Sequence, residues 1–131
     1  MKPYITLITL GVTDLQKSFD FYKELLGFPS EDGITGDVAF FELENIRLSL
    51  YPKELLAKDA GVSREGSGFG GITLAHNVGS EEEVNQLTKT LKEKGIQVIK
   101  EPQKTSWGGY HAYFTDPDGY LWEIAYNPFW K

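Results

Sequence analysis

The sequence predicts an α+β fold made of two tandem βαβββ modules within one domain spanning residues 1–131. Three observations predict it. A strand-like run that ends in a helix-capping residue and leads into an apolar helical stripe begins near residue 7 and again near residue 73. Each helix is followed by short runs of strand character. The last two of these runs are joined by Asp116-Pro117-Asp118-Gly119, a turn in which Pro presets φ at the second position and Gly releases the fourth.

In order along the chain, residues 7–12 read Leu-Ile-Thr-Leu-Gly-Val, a strand, and Thr13-Asp14 cap the helix that follows. Leu15, Phe19, Tyr22, Leu25 and Leu26 then form one helical stripe that stops at Gly27, a residue type suited to the left-handed C′ position. The second strand of module one falls within residues 29–36, where the pattern is weak. Residues 38–43 and 46–51 are strands around a Glu44-Asn45 turn. Residues 53–60 are compatible with a short helix. Residues 61–71, with five glycines and two serines, read either as a plain connector or as a lid. In module two, residues 73–78 are the first strand. Ser80 and Glu83 form a capping box, and Val84, Leu87 and Leu91 make the helical stripe up to Gly95. Glu81, Glu82 and Glu83 sit at the positive end of that helix, and Lys89, Lys92 and Lys94 lie toward its negative end. Residues 96–99, 110–115 and 120–126 supply the remaining strands. Module one thus runs from about residue 4 to 52, the connector from 53 to 70 and module two from 71 to 130.

Composition excludes several classes. Without cysteine there is no disulfide framework, thiolate nucleophile or Cys-based zinc site. A net charge of −6 with no basic cluster argues against a nucleic-acid partner, whose affinity rests on Lys and Arg at phosphates. No apolar stretch approaches the roughly 20 residues of a membrane-spanning helix, and the expected location is cytoplasmic.

Val12-Thr13-Asp14-Leu15, Ser18, Phe21-Tyr22 and Leu26-Gly27-Phe28, followed much later by Tyr113-Phe114-Thr115-Asp116-Pro117-Asp118-Gly119 and Glu123, resemble the signature of the glyoxalase/bleomycin-resistance/extradiol dioxygenase (vicinal oxygen chelate) superfamily. The resemblance spans both modules. It implies that the sheets curl into a cup with the helices outside, that the cup holds a small organic ligand, and that the protein forms a homodimer.

The same resemblance implies a divalent ion held by a His, His, Glu set on the first and last strands of the modules. Carried over position by position, these sites fall on Leu7, Ser49, Thr73 and Glu123. Only Glu123 is an ordinary metal ligand, so no cofactor is expected, with a divalent metal as the alternative. His76, three residues beyond Thr73, alternates to the helix side of its strand and reads as a core or boundary histidine. His111 and Tyr113 are placed facing Glu123. For His111 one reading is a partly buried hydrogen-bonding residue; the other is a proton-exchanging or ligand-orienting partner of Glu123. Glu123, His111 and Tyr113 are therefore the candidate catalytic set. Leu7, Thr9, Ser49, Thr73 and Trp107 are the candidate ligand-binding set, Trp107 as a rim residue; alternation sends Trp122 to the helix side.

Three functions follow as expectations. The first is a protein that binds a small organic molecule without the usual metal site. The second is a metal-dependent lyase, isomerase or dioxygenase. The third, outside the family, is a ferredoxin-like regulatory module in which Glu123 has no role.

Overall fold

The computed structural model describes residues 1–3, 5–66, 68–70 and 72–130. Tyr4 and Gly71, the expected first residues of the two modules, and Ser67 of the connector lie outside the described residues. The chain divides into two compact units, Met1–Gly68 and Phe69–Lys131, and each unit carries one four-stranded sheet.

In the first unit, β1 (Leu7–Val12) leads to α1 (Leu15–Asp20), and β2 (Ile34–Thr35), β3 (Val38–Glu42), β4 (Arg47–Pro52) and α2 (Lys53–Ala60) follow. The sheet order is β1-β4-β3-β2. β1 and β4 are parallel, and the other pairs are antiparallel. Asp14 caps α1 by accepting from the Lys17 backbone N–H at 3.0 Å. The helix does not stay α-helical: Phe21–Leu25 form a π-helical turn, in which the Leu26 N–H donates to the Phe21 carbonyl five residues back. Among the helical side chains Ser18, Phe21 and Tyr22 are buried, while Leu15, Phe19, Leu25 and Leu26 of the expected stripe are half-buried. Gly27, at φ 76°, then takes the left-handed conformation that ends the segment. The weakly patterned second strand is the two-residue β2.

Leu10, Val12, Leu48, Leu50, Ala39 and Phe41 form the buried sheet face of this unit. Their registers place them together, since Leu10 opposes Leu50 and Leu50 opposes Ala39. The rings of Phe19 and Tyr22 lie 5.4 and 5.9 Å from that of Phe41. Alternation sends Thr9, Ser49 and Phe40 to the other face.

The second unit contains β5 (Thr73–Asn77), α3 (Glu81–Glu93), β6 (Val98–Lys104), β7 (Tyr110–Thr115) and β8 (Leu121–Tyr126). Its order, β5-β8-β7-β6, repeats that of the first sheet, again with its first and last strands parallel. Ser80 caps α3 by accepting from the Glu83 N–H at 3.1 Å, and the Glu83 carboxylate accepts from the Gly79 N–H. Val84, Thr88 and Leu91 are the buried stripe of α3. They lie with Ala112, Phe114, Trp122 and Ile124 in the core of this unit, where the Phe114 and Trp122 rings stack at 6.1 Å. β6 starts later and runs further than residues 96–99 because Ile96 ends the helix turn, its N–H bonded to the Leu91 carbonyl. Register shifts between Val98 and Gln103 break the alternation of β6, which hides the strand from pattern reading. At the β7–β8 turn the buried Asp116 accepts from the backbone N–H groups of Asp118 and Tyr120 at 2.9 and 2.8 Å. The Asp-Pro-Asp-Gly segment is thereby fixed from within.

The two units share one register. Phe40 opposes Ser49 as Tyr113 opposes Glu123, and Ala39 opposes Leu50 as Ala112 opposes Ile124. No helix among the described residues is long and apolar enough to cross a membrane.

Candidate functional site

The antiparallel β7–β8 pair builds the site. Tyr113 sits directly opposite Glu123, and His111 opposes Ala125 one strand repeat away on the same face. Diagonal neighbours of this kind stand about 7–8 Å apart at the backbone, within reach of long or aromatic side chains. His111 Nδ1 and Glu123 Oε2 meet at 2.6 Å. The His111 ring meets the Tyr113 ring edge-on, with centroids 5.3 Å apart. These side chains occupy the face opposite Phe114, Trp122 and Ile124, and hence opposite α3. The pair is largely but not wholly withdrawn from water, with 12% of the His111 side chain and 20% of the Glu123 side chain exposed.

The Tyr113 phenol is pushed above its ordinary value, first by burial, then by the negative charge of Glu123 and by the hydrogen bond to that carboxylate. One carboxylate thus serves an imidazole and a phenol at once.

The other expected site residues are placed less closely together. In the first unit Thr9 and Ser49 are directly opposed, and their hydroxyls are hydrogen-bonded at 2.6 Å. Ser49 is buried, and the Thr9 hydroxyl satisfies it. Leu7 opposes Arg47 and is exposed; Thr73 opposes Leu121 and is exposed. The residues directly across from Ser49 and Glu123 are Thr9 and Ala75, two positions beyond Leu7 and Thr73 on the same faces. Ala75 escaped sequence reasoning because the register of a parallel pair is set by no local turn. The parallel with Thr9 in the duplicated half was the signal that could have found it.

Trp107 is exposed in the turn before β7, where the Thr105 N–H donates to the Gly109 carbonyl at 3.0 Å. Its ring lies over Gly109, and a Cβ there would collide with it. His76 opposes Ile124 and so lies on the α3 side of the sheet, as alternation requires. It is exposed, however, and the expectation of a core or boundary histidine is corrected. β5 is an edge strand, and α3 packs against β6, β7 and β8.

The divalent ion that the family resemblance implies needs three or four strong donors. Among the described residues no three His, Cys, Asp or Glu side chains gather to hold one. Both candidate registers of the first strands supply only Leu7, Thr9, Thr73 and Ala75, so the residues present do not fit the usual His, His, Glu set.

The sequence family described as the Glyoxalase/Bleomycin resistance protein/Dioxygenase superfamily matches residues 4–124. The chain belongs to this superfamily. Relatives agree with that placement. The uncharacterized protein YraH of Bacillus subtilis is 32% identical over 124 residues, covering 89% of this chain and 93% of YraH. Lactoylglutathione lyase GLX1 of Arabidopsis thaliana is 31% identical over 125 residues, which cover 89% of this chain and 42% of the plant protein. Among solved structures, a glyoxalase-related enzyme from Fulvimarina pelagi superposes with a TM-score of 0.86 at 35% identity, covering 99% of this chain and 92% of that one. The superfamily fold of paired βαβββ units accounts for the repeated sheet order and for the shared register.

Proposed function

We propose that the protein binds a small organic molecule on the sheet face that carries His111, Tyr113 and Glu123, and that it does so without the His, His, Glu metal centre of its superfamily. The observation that carries this reading is the 2.6 Å contact between His111 Nδ1 and Glu123 Oε2. It commits the one retained metal-ligand position to a neighbouring imidazole, and Tyr113 commits it further. A few convergent polar groups in an apolar frame are how small-molecule sites orient their ligands. Here the frame is Leu121 and Ala75 on the same face.

A fragment screen followed by NMR tests the proposal. Fragments that perturb β7 and β8 should bind at least about tenfold more weakly to His111→Ala and Tyr113→Phe, a change of about 1.4 kcal/mol. Binding untouched by both substitutions contradicts it.

A metal-dependent lyase, isomerase or dioxygenase is the second reading. It is favoured by the match to a lactoylglutathione lyase, and it requires a stoichiometric divalent ion in the purified protein.

A further inference from the structure

We infer that Glu123 has exchanged the metal-ligand role of its position for a positioning role: it holds His111 in the tautomer that turns an unprotonated Nε2 to the ligand, which is then a hydrogen-bond donor such as a phenol or another hydroxyl compound. The inference rests on the binding reading above and names the atom and the ligand class for that site. One contact supports it. An ionised carboxylate only accepts hydrogen bonds, so the 2.6 Å contact to Nδ1 requires the proton on that nitrogen. When Nδ1 of a neutral imidazole carries the proton, Nε2 carries the lone pair. The groups facing the pair on its own sheet are Tyr113 beside it, Gln103 across from His111, and the apolar Ala75 and Ala125.

The chain has two histidines, so their nitrogen resonances are readily resolved in 15N-labelled protein. Spectra taken well above the ordinary histidine pKa of about 6.5 should show His111 with Nδ1 protonated and Nε2 bare. Glu123→Gln should keep that tautomer, because the amide oxygen still accepts, and Glu123→Ala should release it to the ordinary mixture. Phenol should then shift the His111 Nε2 resonance, whereas anisole, which has the same ring without a donor, should not. A wild-type His111 protonated at Nε2 overturns the positioning role. The expected tautomer with equal responses to phenol and anisole overturns the ligand class. The expected tautomer with neither probe moving any β7 or β8 resonance overturns the acceptor role together with the binding reading.

Discussion

At Tyr113 the local chemistry predicts a titration. Burial, the Glu123 charge and the hydrogen bond to it all disfavour the phenolate, so the folded value lies above the ordinary value of about 10. A raised folded value means that the native state holds the proton more tightly than the unfolded chain. The associated stability is fully present below about pH 10 and is lost as the pH rises through the folded value. NMR of the Tyr113 ring carbons should therefore show a midpoint above the ordinary tyrosine value. In Glu123→Gln it should move back toward the ordinary value; an unchanged midpoint would mean that Glu123 does not act on the phenol. The shared face of His111, Tyr113 and Glu123 was an implication of the family resemblance, and the antiparallel register across the Asp116–Gly119 turn puts the three on one face. The Thr9–Ser49 pair was legible only as two separate candidates. It arises across a parallel pair, whose register depends on the packing of the helix between the strands.

Among the elements, those with strong local chemistry were the readable ones. The starts of α1 and α3 carried their caps in sequence, and each cap is made: Asp14 to Lys17, and Ser80 to Glu83. Ser80→Ala should lower stability by about 1 kcal/mol, read from the urea midpoint with an unchanged slope. No loss would mean that the capping box adds nothing to α3. The first helix was misread in detail because a π-helical turn leaves no composition signal. Phe21 is buried there beside Tyr22, while Phe19 stays half-buried with its ring against Phe41. β2 and β6 were the least legible strands. A two-residue strand cannot show alternation, and the register shifts of β6 interrupt it.

Across the whole chain the duplication is the organising fact, and it extends to individual core positions. Leu50 and Ile124 occupy corresponding places, each opposite a fully buried alanine, and both are essentially buried. Leu50→Ala and Ile124→Ala should each destabilise the protein by about 2–5 kcal/mol in denaturant unfolding. A cost near zero at either would show that its sheet is not packed as described. The duplication also separates what is shared from what has diverged: the registers match, while the position held by Glu123 in one half is held by the neutral Ser49 in the other. That divergence underlies the metal-independent binding reading, and metal analysis of the purified protein beside Glu123→Gln tests it most directly. Far less than one divalent ion per chain is expected in both proteins; one zinc, nickel, manganese or iron per chain that disappears on the substitution would overturn the metal-independent reading.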